Sequence, residues 1–353
     1  MIIRKLRVEN LRNLASVELE PHASFNYIQG ENGAGKTSVL ESITVLSRGR
    51  SFRTSQATDL TGPRERKFRV FAEVCDEQGS VSRLGLERAG THWRGRLNSA
   101  DVKQLSQLTR RLPIVLLEPD SHLLVSGPPE IRRKYLDWGM FHVEHGFLDV
   151  WRRYSKALKQ RNAALRRGRV ELLDSLDSVL AECGNRLSQL RSQQVDRVHA
   201  GIGEVLEKLK TRVGQVEMEY QKGWGSDTLH ESLVARRETD LERGMTWSGP
   251  HRGDIKLTCG GIAARVVLSR GEQKAFAAAM VLIQAELLKK SGQKPVFLCD
   301  DLESEFDEEH FDSVLNMAVR SGAQVWVTGT GKPQMKHKGK VFHVEQGVLR
   351  ELL

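Results

Sequence analysis

The sequence predicts a two-lobed α/β protein in which a helical segment interrupts a strand-rich lobe. Short apolar strands followed by glycine-rich or acidic turns occur toward both ends of the chain, whereas residues 128–209 have the apolar spacing of long helices. The expected domains are 1–120 for the N-terminal half of the strand-rich lobe, 121–244 for the helical lobe and 245–353 for the C-terminal half.

The composition is that of a globular protein without a membrane span. The 353 residues are 39% hydrophobic and 28% charged. Apolar runs stay well short of the roughly 20 residues that a span requires, and the first residues lack the apolar core of a signal peptide. The four cysteines stand far apart, so neither a zinc site nor a disulfide framework is expected. We therefore expect a cytoplasmic protein with no membrane partner.

The charge balance is basic. Lys and Arg number 54 against 45 acidic residues, a formal net charge of +9. Such an excess suits a polyanion, because Lys and Arg displace counterions from phosphate backbones. Many soluble proteins are basic, so the charge raises the expectation of nucleic acid without establishing it.

The N-terminal residues predict strands around one helix. Alternating apolar residues indicate two strands joined at Arg12-Asn13, followed by a strand at 24–28 and a helix from residue 38. Further on we expect a hairpin and a buried strand, at 68–74 with 81–86 and at 114–117.

The run between the strand at 24–28 and the helix matches a phosphate loop. It reads Gly30-Glu31-Asn32-Gly33-Ala34-Gly35-Lys36-Thr37, the pattern G-x-x-x-x-G-K-[ST] in its required setting. Glycines let the backbone approach a polyphosphate, and inward N–H groups with the helix dipole bind it. Lys36 is expected to reach the β and γ phosphates, and Thr37 to help hold Mg²⁺. The sequence therefore predicts that these residues bind a nucleotide.

The helical lobe is expected to begin at Pro128-Pro129-Glu130 and to contain a basic helix. Residues 151–170 are rich in Lys and Arg and contain no Asp or Glu. At helical spacing, Trp151, Tyr154, Leu158 and Leu165 share an apolar face. The opposite, basic face between Arg152 and Arg169 is a candidate DNA surface, with a merely solvated face as the equal alternative. A second long helix is expected at 171–209.

Strands return in the C-terminal half. We expect a hairpin of 254–258 with 263–267, a helix after Gly271, a strand at 296–299 and a helix at 308–320. A strand at 324–327 and a hairpin of 340–344 with 348–353 complete the chain.

The strand at 296–299 ends in Asp300-Asp301. A carboxylate in this position can hold Mg²⁺, and its neighbour can polarise an attacking water. We assign Asp300 to the metal and Asp301 to the water, with Lys36 as the third catalytic residue. The alternative is an ordinary turn after a core strand.

The run Ser269-Arg270-Gly271-Glu272-Gln273-Lys274 precedes an apolar helix. Ser269 is placed as an N-cap, so its hydroxyl and the exposed N–H groups form a second anion site. A capped amphipathic helix without such a role is the common alternative.

The order of these motifs resembles that of the ABC-type ATPases, in which Ser-x-Gly-x-Gln is the signature motif. Within them the chain is similar to the SMC-related RecF family over nearly its whole length. The specific part of the resemblance is the Lys-Gln-Arg-Asn-Ala run at 159–163 and Gly249-Pro250-His251, because general ABC membership does not explain them. The other matching segments are 11–13, 50–53, 132–139, 252 and 302–307.

The resemblance implies an ABC-type (SMC-like) ATPase head with mixed sheets, ATP and Mg²⁺ as cofactors, and an ATP-dependent head-to-tail homodimer. Ser269, Gly271 and Gln273 of one subunit would bind the γ-phosphate held by the other. Arg12 and Asn13 would lie near the nucleotide, and residues 304–307 would cross the interface. It also implies binding to double-stranded DNA or single/double-strand junctions, with RecR and RecO, to load RecA at gaps.

The chain departs from the ABC pattern at positions that bear on hydrolysis. Glu118 stands where most ABC proteins have glutamine, Thr328 where a switch histidine is usual, and Asp301 where glutamate is usual. These departures favour slow hydrolysis. His251 is expected to be structural rather than catalytic.

Two other classes of protein stay open on the sequence. A P-loop small-molecule kinase would bind ATP without dimerising, but it leaves the run at Ser269 unexplained. The ATPase subunit of a transporter would co-purify with a membrane protein, but the basic insertion counts against it.

Overall fold

The computed structural model describes residues 1–54, 56–331 and 336–352. The chain divides into two compact units: unit 1 is Met1–Ser121 with Val281–Leu353, and unit 2 is His122–Met280. The domain division expected from the sequence, with borders at 120/121 and 244/245, stays a prediction.

The first part of unit 1 consists mainly of strands. In chain order the elements are β1 (Ile2–Leu11), β2 (Leu14–Leu19), β3 (Phe25–Gln29), α1 (Lys36–Arg48), β4 (Phe68–Cys75), β5 (Val81–Ala89), β6 (His92–Leu97), β7 (Ala100–Val102), α2 (Ser106–Arg111) and β8 (Ile114–Leu117). The strand pair around Arg12-Asn13, the strand before the phosphate loop, the hairpin and the strand at 114–117 are confirmed.

Unit 2 consists mainly of helices. Its elements are α3 (Leu123–Ser126), α4 (Pro129–Val143), α5 (Phe147–Arg166), α6 (Leu173–Lys208), β9 (Val216–Gln221), α7 (Leu229–Ala235), α8 (Arg237–Arg243), β10 (Asp254–Cys259), β11 (Ile262–Ala263), α9 (Ala264–Val267) and α10 (Arg270–Lys290). The border between the units lies within α10.

The chain then completes unit 1 with β12 (Val296–Cys299), α11 (Glu308–Arg320), β13 (Gln324–Gly329), β14 (Gly339–Glu345) and β15 (Val348–Glu351). Short 3₁₀ turns occur in both units, at Ala57–Leu60, Pro119–His122, Val170–Leu172, Pro250–Arg252 and Leu302–Ser304. Within the described ranges, no helix has the length and apolar character needed to cross a membrane.

The sheet that positions the site has the strand order β15-β14-β3-β13-β12-β8. Strands β14, β3, β13, β12 and β8 run parallel, and β15 is antiparallel to β14. The carboxyl ends of parallel strands meet at one edge, where α/β proteins bind ligands. Because β13 lies between β3 and β12, the residues after these strands are neighbours.

The second sheet of unit 1 is antiparallel, in the order β2-β1-β4-β5-β6-β7. Its apolar residues share a core with α1, which buries Val39, Leu40 and Ile43 against residues such as Leu6 and Val8. Burial of this apolar face holds α1, and with it the phosphate loop that leads into the helix, in place.

The hairpin expected at 254–258 with 263–267 is partly wrong. Strand β10 pairs over its whole length with β9, from Asp254↔Gln221 to Cys259↔Val216. Only Ile262–Ala263 return to its other side, because Leu268 N–H donates to Ala264 O over 3.0 Å and turns the next residues into α9.

The expected apolar face of α5 is wrong at Trp151. The buried positions of the helix include Phe147, Tyr154, Ala157 and Arg161, whereas Trp151 is 40% exposed. The helix also ends at Arg166, earlier than the basic stretch does.

Candidate functional site

The phosphate loop lies between β3 and α1, as expected, and its glycines are required for different reasons. Gly33 and Gly35 have φ values of 80° and 121°, a region that side chains rarely adopt. A Cβ at Gly30 would lie 2.4 Å from Val344 O. Lys36 is 7% exposed, and its Nζ donates to Gly30 O and Glu31 O over 2.8 and 3.0 Å. Lys36 thus connects the end of the loop to its beginning.

An open cavity of about 390 Å³ lies over this loop. Most of the residues predicted to bind the nucleotide line it, and the full lining is Arg12, Asn13, Glu31, Asn32, Gly33, Gly35, Lys36, Thr37, Ser38, Arg53 and Asp301. Gly30 and Ala34 support the loop from behind, where Ala34 O accepts from Gly347 N–H over 2.9 Å. Asn13 joins both sides of the loop, because its Nδ2 donates to Gly33 O (3.1 Å) and its Oδ1 accepts from Ser38 Oγ (3.0 Å).

Arg12 is held by a buried carboxylate that sequence reasoning missed. Its Nε and Nη2 donate to Glu41 Oε2 and Oε1 over 3.0 and 2.9 Å, and Glu41 is fully buried. Hydrogen bonding to Glu41 raises the pKa of Arg12. Ser51 donates to the same carboxylate, and Arg53 Nη1 lies 3.7 Å from it. The available signal was the position of Glu41 on the apolar face of α1, because a carboxylate buried there requires a charged or hydrogen-bonding partner.

The predicted metal ligands are brought together. Thr37 Oγ1 donates to Asp300 Oδ1 over 3.0 Å, and Thr328 Oγ1 donates to the same oxygen over 2.8 Å. Burial raises the pKa of Asp300, and the hydrogen bonds from Thr328 and Thr37 oppose this effect. A hydroxyl and a carboxylate are the oxygen ligands that Mg²⁺ prefers, so Thr37 and Asp300 fit the ion.

Asp301 lies beside this pair and lines the cavity. Its φ is 50°, and its N–H donates to Thr328 Oγ1 over 2.9 Å. Ser304 Oγ donates to Asp301 Oδ2 over 3.1 Å. Thr328 therefore fixes both acidic residues, because its hydroxyl accepts from Asp301 N–H and donates to Asp300 Oδ1.

Glu118 follows β8 at the same sheet edge. Burial raises its pKa to about 7, and Asp120 adds to this effect while Arg48 opposes it. Its N–H donates to Ser121 Oγ over 2.9 Å. A carboxyl with this pKa is partly protonated at neutral pH and can then donate a hydrogen bond.

The signature residues belong to unit 2, not to the unit that contains the phosphate loop. Ser269 caps α10 reciprocally: its Oγ accepts from Glu272 N–H over 3.3 Å, and Glu272 Oε2 accepts from Ser269 N–H over 2.8 Å. Ser269 and Gly271 are exposed, whereas Gln273 is buried and donates to Leu268 O over 2.9 Å. The predicted N-cap is confirmed, and Gln273 holds the preceding turn.

His251 is enclosed by hydrogen bonds. Its Nε2 lies 3.0 Å from Thr246 O, and its Nδ1 lies 2.6 Å from Tyr154 Oη. A carbonyl only accepts, so Nε2 carries the proton and Nδ1 accepts from tyrosine. Burial lowers the pKa of His251 to about 4. These contacts are those of the structural histidine that the sequence led us to expect.

The basic face of α5 is less uniform than its sequence. Arg161 is fully buried and pairs with Asp177 and Asp240 over 2.5 and 2.6 Å. Arg153 pairs with the exposed Glu182 over 3.1 Å. The candidate DNA surface thus loses Arg161, while Lys156 and Lys159 are exposed.

The chain is similar to proteins of one family over nearly its whole length. The family model of the RecF/RecN/SMC N terminal domain matches residues 2–349. The DNA replication and repair protein RecF of Stenotrophomonas maltophilia (strain R551-3) is 40% identical, with 98% of each chain covered. That of Coxiella burnetii (strain RSA 493 / Nine Mile phase I) is 37% identical, with 99% of each covered.

Solved structures agree with these relatives. The recombination mediator protein RecF with ATP, of the RecFOR pathway, has a TM-score of 0.90 at 27% identity and covers 100% of this chain and 98% of its own. A Pyrococcus furiosus Smc head domain has a TM-score of 0.60 at 17% identity, covers 99% of this chain and 96% of its own, and supports the fold alone. The predicted fold class, an ABC-type (SMC-like) head with an inserted helical lobe, is confirmed.

Replacing Thr328 by Val should destabilise the protein by about 1–3 kcal/mol, because Asp301 N–H loses its acceptor and Asp300 loses a donor in a buried site. Urea unfolding measures the change. Thr328→Ser keeps the hydroxyl and should remain close to the wild type. Equal losses in both variants would show that packing of the methyl group, not the hydrogen bonds, is responsible.

Replacing His251 by Gln should remove an acid sensitivity. The folded-state pKa of about 4 is below the ordinary 6.5, so His251 contributes stability above 6.5 that is lost as pH falls toward 4. The loss amounts to about 3 kcal/mol. Gln keeps one donor and one acceptor but does not titrate. The difference between wild-type and variant unfolding free energies should change across this window, and parallel pH profiles would contradict the assignment.

Proposed function

The chain belongs to the RecF family, and we propose that it is an ATP-dependent DNA-binding protein of replication and recombinational repair. The observation that carries the proposal is the 3.0 Å contact between Thr37 and Asp300, which unites the phosphate loop with a strand-end carboxylate. The relatives are named as DNA replication and repair proteins, and a similar structure is named as a complex with ATP. These names favour the proposal over a kinase or a transporter subunit.

In this proposal the loop from Gly30 to Thr37 binds the phosphates of ATP. Its N–H groups and the start of α1 supply positive potential, and Lys36 leaves the loop carbonyls to contact the β and γ phosphates. Thr37 and Asp300 hold Mg²⁺, and Asp301 orients the attacking water. Arg12 and Asn13 contact the nucleotide from the cavity wall.

The second half of the site comes from another copy of the chain. The exposed start of α10 offers Ser269, Gly271 and the positive end of the helix dipole to an anion, and Gln273 supports the turn before it. An ATP that contacts both subunits stabilises the pair by its affinity for that state. Dimerisation is therefore coupled to ATP, and the dimer closes on DNA.

Hydrolysis is slow in this scheme. Thr328 binds both acidic residues by hydrogen bonds but cannot act as a base or a cation at neutral pH. Asp301 is also one methylene shorter than the usual glutamate. ATP then serves chiefly as a timer for the dimer.

The DNA bound would be double-stranded or a single/double-strand junction, held mainly through its phosphates. A role with RecO and RecR in loading RecA at gaps is consistent with the similar protein's place in the RecFOR pathway.

Two substitutions should separate ATP binding from dimerisation. Lys36→Met should abolish both, whereas Ser269→Arg should leave ATP binding by the monomer intact and block the dimer, because a long cation replaces the exposed cap. Light scattering with ATP, ADP or no nucleotide measures mass, and a fluorescent ATP analogue measures binding. An ATP-driven dimer of Ser269→Arg would exclude the proposed interface, and an ATP-insensitive wild type would exclude the mechanism.

Reversing Arg152, Arg153 and Lys156 to Glu should weaken duplex binding and reduce its salt dependence, with the slope of log K against log salt falling by about 1 for each phosphate that the variant no longer neutralises. Fluorescence anisotropy over a salt series measures both. The control changes Arg4, Arg64 and Lys103, all exposed in unit 1, to Glu and so alters net charge equally. Equal effects in the two triple variants would show that only net charge matters.

A further inference from the structure

Two tryptophans and two arginines line a second open cavity, of about 390 Å³, in unit 2. We name it the Trp–Arg cavity, and its lining residues are Gly223, Trp224, Gly225, Arg236, Trp247, Ser248 and Arg252. The predicted DNA surface on α5 does not include any of these residues.

Trp247 forms a stack with arginine. It is 40% exposed, and the guanidinium carbons of Arg252 and Arg243 lie 4.4 and 5.0 Å from its ring centroid. Within the described part of the chain, no ion pair joins Arg236, Arg243 or Arg252 to a carboxylate. An exposed indole therefore stands among cations whose charge is available to an anion.

The backbone that presents Trp247 is fixed from beneath by the two motifs that carried the specific family resemblance. Asn162 Oδ1 accepts from Thr246 N–H and Oγ1 over 2.8 and 2.7 Å, and Arg161 Nη1 donates to Thr246 Oγ1 over 3.0 Å. His251 Nε2 donates to Thr246 O over 3.0 Å. Every polar group of Thr246 thus has a partner in the Lys-Gln-Arg-Asn-Ala run or the Gly-Pro-His turn.

The backbone of Trp247 and the loop that contains Trp224 are anchored as well. The backbone N–H of Trp247 donates to Asp240 Oδ1 over 3.1 Å. Gly249 N–H donates to Gly223 O over 3.2 Å, and Lys222 Nζ closes the loop around Trp224 by donating to Ser226 O over 2.8 Å. Gly223 has a φ of 90°, and a Cβ there would lie 2.5 Å from Gly249 O. The backbone that presents both tryptophans is therefore fixed.

We propose that the Trp–Arg cavity binds one unpaired nucleotide of a DNA strand. The base packs on the exposed Trp247–Arg252 stack, since bases stack on aromatic rings and on guanidinium planes. Arg236 and Arg243 contact the adjacent phosphates. The inference rests on the proposed function, and it assigns recognition of the single-stranded side of a junction to these residues.

The combination of groups favours a nucleotide over an acidic peptide. Carboxylates would neutralise the arginines but would leave the flat indole faces without a matching partner. A paired base offers no free face except at a duplex end, so an interior duplex would contact only the cations. The cavity therefore discriminates unpaired from paired DNA.

The test compares Trp247→Ala with Trp93→Ala, which removes a tryptophan of similar exposure (38%) from unit 1. The probes are a labelled hairpin-capped duplex, the same duplex with a single-stranded extension, and that extension with abasic sites. Trp247→Ala should weaken binding to the base-containing extension by about tenfold, because one base no longer stacks. Binding to the capped duplex and to the abasic extension should change less than twofold. Arg236→Gln should weaken all forms with single-stranded phosphates and lower the salt slope by about 1.

The outcomes are distinct. An unchanged affinity of Trp247→Ala for the extension would overturn the proposal, as would equal weakening of binding to the abasic probe. The proposal would also fail if a poly-glutamate peptide displaced the extension from the wild type but not from Trp247→Ala. Trp247→Phe, which retains an aromatic face, should recover most of the affinity and serves if the Ala variant does not fold. Wild-type protein that binds no DNA at all would instead refute the proposed function.

Discussion

The site in unit 1 depends on a single carboxylate oxygen. Asp300 Oδ1 accepts hydrogen bonds from Thr37, which follows β3, and from Thr328, at the end of β13. Those donors can reach one atom only because β13 lies between β3 and β12 in a parallel sheet, so that the three strand ends form one edge. Burial raises the pKa of Asp300, and thus the site holds a carboxylate whose charge is costly until hydrogen bonds or a cation compensate it. The strand order therefore determines both the geometry and the electrostatics of the edge.

Local signals predicted the motifs at this edge, and the helix start in unit 2, well. The phosphate loop, Asp300 and the N-cap at Ser269 follow from short runs whose geometry is set by neighbours in sequence, and glycine at positive φ leaves little freedom at Gly33 and Gly35. The contacts that were missed join distant residues. Glu41 meets Arg12 from 29 residues away, and nothing in the helix sequence shows which arginine it will contact. The short helix α9 was also missed: only Ile262–Ala263 pair with β10 on the hairpin side, and the full-length partner of β10 is β9, outside the expected hairpin.

Arg161 shows why charge patterns overstate binding surfaces. In the sequence it belongs to a basic stretch without acidic residues, which is typical of a solvated or DNA-binding face. In unit 2 it is fully buried between Asp177 and Asp240, which lie 16 and 79 residues away along the chain. Removing one member of such a buried network costs about 3–5 kcal/mol, because the remaining charges lose their compensation. Arg161 therefore stabilises the interior of unit 2, while Lys156 and Lys159 on the same helix are exposed to solvent.

The same buried network fixes the backbone of the loop that carries Trp247. Residues near Trp247 lie between a helix and a 3₁₀ turn, and a free indole there would lose about 0.5–1.5 kcal/mol of side-chain freedom when a ligand immobilised it. Asp240 binds Arg161 through one oxygen and the backbone N–H of Trp247 through the other, so one carboxylate joins the buried ion pair to the backbone that presents the exposed ring. His251 remains neutral at physiological pH because burial lowers its pKa to about 4, and it keeps the adjacent carbonyl bonded. Buried polar groups in unit 2 thus stabilise its interior and also fix the backbone that presents Trp247 among arginines, and such an aromatic face suits a ligand that is both flat and anionic.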